Sequence, residues 1–210
     1  MKIVCPTITA VDIEEFNDQL NKIKEFSKRI HIDLMDGVLA PSHSVSIGDV
    51  KWPSNLVVDI HLMFDSPSEI IAELINLKPY LVIIHAEATA DHQQLAEELH
   101  RHGIKAGLAI QATTSVDSVR EIINYFDQVL IFAGHLGFQG GNSDLSQMVK
   151  AHQLEDLGYL GEIAWDGGIN LANISQLANN GIGVFNVGGF IQTSDNPKDA
   201  YTKLLEVINR

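Results

Sequence analysis

The chain has 210 residues, 45% of them hydrophobic, which is enough to build one large core in a single domain spanning residues 1–210. A formal net charge of -13 argues against nucleic acid and anionic membrane surfaces as partners, because both select basic proteins. No run of eighteen apolar residues occurs, and Met1-Lys2-Ile3-Val4-Cys5-Pro6 opens no secretory leader, so a soluble cytoplasmic protein is expected.

Short apolar runs rich in β-branched residues recur along the chain. They cover Ile3 to Ile8, Ile30 to Leu34, Leu56 to Leu62, Leu81 to His85, Ala106 to Ile110, Val129 to Phe132, Ile163 to Trp165 and Val184 to Val187, giving eight expected strands. Helical periodicity lies between them. Ile13, Phe16, Leu20, Ile23 and Phe26 fall on one stripe, as do Leu74 with Leu77 and Leu95 with Leu99. Start signals are read at Asp65-Ser66-Pro67-Ser68-Glu69, Thr113-Thr114-Ser115-Val116-Asp117 and Ser194-Asp195-Asn196-Pro197, and stops at Gly103 and Gly181. Alternating strands and helices call for a parallel sheet with right-handed crossovers, and eight such units close into a TIM (β/α)8 barrel of the α/β class; a doubly wound open sheet is the alternative. The lone cysteine, Cys5, reads as a small buried hydrophobe on the first strand.

In such a barrel the chemistry belongs at the C-terminal ends of the strands. His31, Asp33, His61, His85 and Asp166 all fall there. Alternate side chains of a strand share a face, so His31 and Asp33 point the same way while Ile32 and Leu34 point the other. Imidazole and carboxylate together suit zinc, iron or manganese.

The run His31-Ile-Asp33-Leu-Met35-Asp36-Gly37, followed by Asp59-Ile-His61-Leu-Met63 and Asp166-Gly-Gly168, resembles the signature of the ribulose-phosphate 3-epimerase family of TIM barrels. Cys5-Pro6-Thr7-Ile8, His85-Ala86-Glu87-Ala88 and Lys105-Ala106-Gly107-Leu108 are similar to that family's first, fourth and fifth strands, and Gly137-Phe138 and Gly188-Gly189 sit where its phosphate-gripping loops lie. The resemblance implies a metal-dependent enzyme of the pentose phosphate pathway converting D-ribulose 5-phosphate to D-xylulose 5-phosphate. One divalent ion (zinc, iron, manganese or cobalt) would be held by His31, Asp33, His61 and Asp166, with Asp33 and Asp166 also moving protons. It further implies a homo-oligomer.

Epimerising carbon 3 of a ketose phosphate removes a proton beside a carbonyl and returns one to the opposite face through an enediolate, which needs a base on each side. A Lewis acid would stabilise the developing charge. Substrate contacts are expected from Thr7, Met35, Met63 and His85, and phosphate contacts from the backbone at Gly137, Gly140, Gly141, Gly168, Gly188 and Gly189, where glycine lets N–H groups approach an anion. Met35 and Met63 read equally as core residues, His85 as a contact rather than a ligand, and Glu87 as a supporting carboxylate. His92, His100, His102 and His152 read as solvated helix or loop positions. Departures from the family pattern are Thr7 for a serine, Val38-Leu39-Ala40-Pro41-Ser42 without the usual asparagine, the rewritten loop Leu136-Gly137-Phe138-Gln139-Gly140-Gly141, and Gly189 for a serine. The alternatives are an epimerase of a hexulose 6-phosphate and a phosphosugar-binding barrel without catalysis. A phosphosugar decarboxylase would need a lysine between His31 and Asp36, and there is none.

Overall fold

A computed structural model describes residues 2–209; Met1 and Arg210 lie outside the described residues. Eight strands, β1 (Ile3–Ile8), β2 (Arg29–Met35), β3 (Val57–Met63), β4 (Leu81–His85), β5 (Lys105–Ile110), β6 (Gln128–Phe132), β7 (Glu162–Asp166) and β8 (Val184–Val187), pair in sequence order. All the pairings are parallel, and β1 pairs with β8 to close the barrel. The strands are buried on both faces, which is why they read as continuous apolar runs. Their inward residues Cys5, Leu81, Ile83, Ala109, Leu130, Ala164 and Val184 fill the barrel's lower interior. Outward residues such as Ile30, Ile32, Val58, Ile60, Leu108 and Val129 pack under the outer layer. Cys5 is fully buried in that interior, and burial raises its thiol pKa well above the ordinary range.

The outer layer is less regular than strict alternation predicts. Helices α1 (Ile13–Ile23), α2 (Ile71–Leu77), α3 (His92–Arg101), α4 (Val149–Asp156), α5 (Ile174–Asn179), α6 (Gly189–Gln192) and α7 (Pro197–Ile208) make up its helical part. The β2–β3 link has only a 3-10 turn at Ile47–Asp49, and the β5–β6 link only the 3-10 turns Asp117–Val119 and Ile123–Tyr125. The start signal at residues 113–117 therefore opens no α-helix; its serine caps a tight turn instead, with Ser115 Oγ accepting from Ser118 N. At residues 65–69 the hydroxyls likewise cap no α-helix, and α2 begins at Ile71 after a 3-10 turn. The last signal forms as expected, with Asn196 accepting from Asp199 N and Pro197 in the first turn. Asp12 and Asp91 cap α1 and α3 in the same way.

An ion network lies at the N-terminal end of the barrel, opposite the expected chemistry. Arg29 donates from Nε to Asp59 at 2.8 Å and from both terminal nitrogens to Glu162 at 3.0 and 2.8 Å, while Gln128 donates to Glu162 at 2.9 Å. The guanidinium also lies 5.0 Å from the Tyr80 ring centre. Burial pushes Asp59 up to about 6 despite the opposing pull of Arg29.

Candidate active site

Register gathers the polar residues at the other end. Asp33 lies opposite His61 across β2–β3, and Asp166 lies opposite Phe132 and Asn186 on its two neighbours. His31 Nε2 is 3.2 Å from Asp33 Oδ1 and 3.3 Å from Asp166 Oδ2, and His61 Nδ1 is 3.1 Å from Asp33 Oδ1 and 3.8 Å from Asp166 Oδ2. One donor atom from each of the four residues lies within 4.8 Å of all the others. His31 is fully buried, and neither of its ring nitrogens has an aligned hydrogen-bond partner. A buried imidazole facing two carboxylates off the hydrogen-bond axis fits a cluster built around a shared cation. Burial opposes charge on His31, but Asp166 and Asp33 outweigh it and push the imidazole up to about 10. The same pairing holds Asp33 well below the usual carboxylate range, although burial alone would raise it.

Behind this cluster runs a chain of hydrogen bonds. His61 Nε2 meets His85 Nε2 at 2.8 Å, and His85 Nδ1 meets Glu87 Oε2 at 3.0 Å. Glu87 Oε1 accepts from Gln111 N at 3.0 Å and from the Thr114 hydroxyl. These donors, with His85, hold the Glu87 carboxyl down at about 2 against its burial. Burial lowers the His85 pKa, favouring a neutral ring. A neutral His85 donating from Nδ1 to the Glu87 anion offers Nε2 as an acceptor, so His61 donates from Nε2 and keeps its Nδ1 lone pair turned to the carboxylates.

The cluster lies at the floor of a cavity of about 360 Å³. Thr7, Met63, Gly137, Gly140, Gly141, Gly168, Gly188 and Gly189 line it together with Asp33 and Asp166. Two residues expected to touch substrate, Met35 and His85, are not among the described residues lining the cavity. Met35 is buried against Ala40, Met63 and Leu136, because the β2–β3 loop folds over it and Ser44 binds its backbone N–H. His85 sits behind His61, with both ring nitrogens already engaged. Of the remaining histidines, His100, His102 and His152 are exposed, but His92 is half-buried, its Nε2 2.9 Å from the His85 carbonyl.

Sequence reasoning missed Thr9, Gln139 and Asn186. The Thr9 hydroxyl donates to Asp33 Oδ2 at 2.6 Å, and Gln139 reaches from the β6 loop to within 3.3 Å of that hydroxyl. The alternation that places Thr7 inward runs out at the strand end, so nothing marked Thr9 as facing the site; Asn186 could have been found from its inward register beside Asp166. No lysine or arginine is among the described residues lining the cavity.

Glycine is required where β6 and β7 leave the barrel side by side. Gly167 has φ +110°, and a Cβ there would fall 2.5 Å from Gly134 Cα and closer still to Gly134 N. Gly167→Ala is expected to cost on the order of 3 kcal/mol and to displace the adjacent Asp166, which thermal unfolding and turnover would register together.

An eight-stranded parallel barrel with its imidazoles and carboxylates at the C-terminal rim defines the class: a (β/α)8 enzyme with its polar cluster on the face where this fold carries chemistry. The model of the ribulose-phosphate 3-epimerase family matches residues 3–191. The chain belongs to that family, whose enzymes are carbohydrate epimerases, and it is accordingly an isomerase acting on a ketose phosphate. It is 28% identical over 209 residues to the ribulose-phosphate 3-epimerase of Mycobacterium tuberculosis (strain ATCC 25618 / H37Rv), covering 96% of this chain and 91% of that one. It is 29% identical over 210 residues to that of Mycobacterium leprae (strain TN), covering 96% and 93%. Among solved structures, KGPDC from Streptococcus mutans superposes with TM-score 0.74 at 8% identity, covering 100% of this chain and 98% of that one. A 3-keto-L-gulonate-6-phosphate decarboxylase from Vibrio cholerae does so with TM-score 0.73 at 12% identity, covering 100% and 97%. These likenesses establish the barrel independently of the sequence relatives. No helix among the described residues is long and apolar enough to cross a membrane.

Proposed function

We propose that the protein interconverts D-ribulose 5-phosphate and D-xylulose 5-phosphate by proton transfer at carbon 3. The observation that carries this reading is the convergence of Asp33 and Asp166, from separate strands, on one buried imidazole at the floor of a glycine-rimmed cavity. Asp33, held ionised by His31 and steadied by Thr9, takes the carbon-3 proton of one epimer. The C–H pair becomes the carbon 2–carbon 3 double bond of an enediolate. Asp166 delivers a proton to the opposite face, and the roles reverse in the other direction. His31, Asp33, His61 and Asp166 fit a divalent cation, which would supply Lewis-acid stabilisation of the enediolate charge. With no cationic side chain among the described residues of the cavity wall, the phosphate is left to backbone N–H groups around Gly140, Gly141, Gly168, Gly188 and Gly189. The decarboxylase chemistry named for a structural neighbour is set aside, because the stretch His31 to Asp36 carries no lysine.

Turnover compared on D-ribulose 5-phosphate and a hexulose 6-phosphate tests the substrate; preference for the six-carbon sugar would replace the pentulose in this reading. Elemental analysis of protein purified without chelator tests the metal, with close to one divalent ion per chain expected. Glu87→Gln should weaken metal binding about 10- to 100-fold in chelator competition, because the amide no longer holds His85 and His61 in register.

A further inference from the structure

Thr7 and Asn186 line the cavity with buried polar atoms that have no partner and no part in the mechanism, and of the two only Asn186 leaves both a donor and an acceptor of an amide unpaired. It is 2% exposed, lines the cavity, and neither its Oδ1 nor its Nδ2 has a hydrogen-bond partner. Other buried amides nearby are used by the fold: Gln192 donates to the Thr7 carbonyl at 3.0 Å, and Asn173 donates to the Gly168 carbonyl at 2.9 Å. An amide kept buried and unpaired weakens the ligand-free protein, so a fold that needed only to fill this volume would be better served by an apolar side chain.

Its position indicates what it meets. Asn186 lies in register with Asp166 on one neighbouring strand and with Cys5 on the other, one inward step above Val184 and two residues before Gly188. It therefore stands at the level of the reacting carbons, on the strand that leads to the glycines assigned to phosphate. An unpaired donor beside an unpaired acceptor complements a hydroxyl, which both gives and accepts a hydrogen bond. On a pentulose 5-phosphate stretched from the carboxylates to the glycine loops, the hydroxyl between carbon 3 and the phosphate is the one on carbon 4.

We infer that Asn186 is a specificity-determining residue that binds the carbon-4 hydroxyl of the substrate. This rests on the epimerase reading above and adds a contact that the reading does not require. A site built to pair a hydroxyl rejects the analogue that lacks it, since its own polar groups are then left bare.

The test compares D-ribulose 5-phosphate with a 4-deoxypentulose 5-phosphate in the wild type, Asn186→Leu and Asn186→Ala, and records the melting temperature of each protein without ligand. Wild type is expected to prefer the natural sugar by at least about 100-fold in kcat/KM, and both variants by less than about 10-fold. Asn186→Leu, freed of the unpaired amide, should melt at a higher temperature than wild type, which the loss of a purely structural asparagine would not produce. Discrimination unchanged in the variants, or absent in the wild type, overturns the inference while leaving the epimerase reading intact. A wild type with no turnover of either sugar overturns that reading, and the inference falls with it.

Discussion

Replacing Asp33 or Asp166 by asparagine is expected to lower turnover by about 10²- to 10⁴-fold and to stop incorporation of solvent deuterium at substrate carbon 3, with the barrel intact by circular dichroism. The amide keeps the size and one acceptor of the carboxylate but cannot take a proton. The two variants should differ in a further respect. Asp33 sits between His31 and His61 and accepts from Thr9, so Asp33→Asn removes the anion nearest to three partners. Asp166 is more exposed and has fewer partners. Loss of metal should therefore be greater in Asp33→Asn, read as bound ion per chain. Near-native turnover in either variant would end the two-base assignment.

At the opposite end of the barrel, Arg29→Ala is expected to cost about 3–5 kcal/mol, because it leaves the buried Asp59 and the half-buried Glu162 facing each other without a cation. For a chain of this length that is a fall in melting temperature of about 6–20 °C. Asp59→Asn should be far milder, since the amide oxygen still accepts from Arg29 Nε and no charge is buried. The two proteins should also differ with pH. Folded Asp59 keeps its proton up to about 6, whereas an unfolded aspartate gives its proton up near 4. Between those values the folded state binds more protons, so this group makes stability fall as pH rises. Denaturant unfolding at pH 4 and pH 7 should show that component in the wild type and not in Asp59→Asn.

The barrel was legible because parallel strands buried on both faces leave unbroken apolar runs; β1, β4 and β8 begin and end where their runs do, and the other strands differ by a single residue at one or both ends. The outer layer was less so. A serine or threonine before an acidic residue marks a turn as readily as a helix, and only the packing space beside β5 and β6 decides between them. At the site, strand alternation placed His31 and Asp33 on one face and the strand ends placed His61 and Asp166 beside them. What sequence could not supply was which side chains a loop would cover. Met35 shares the inward alternation of Asp33, yet it is sealed off by Ala40 and Ser44 of the loop that follows it, together with Met63 and Leu136. The position of Thr9, one residue beyond β1, depends equally on how the chain leaves the strand.

The packed layer of Cys5, Leu81, Ile83, Ala109, Leu130, Ala164 and Val184 separates the Arg29 network from the carboxylate cluster except at β2–β3, where Asp59 lies directly opposite His31. Because Asp59 stands in register with His31 and feels its charge, the two ends meet through the β2–β3 pair, and losses in a combined Arg29→Ala and Asp33→Asn variant should depart from additivity. The molecule is thus incompletely partitioned along its axis, and a change made for robustness at one end is felt in rate at the other.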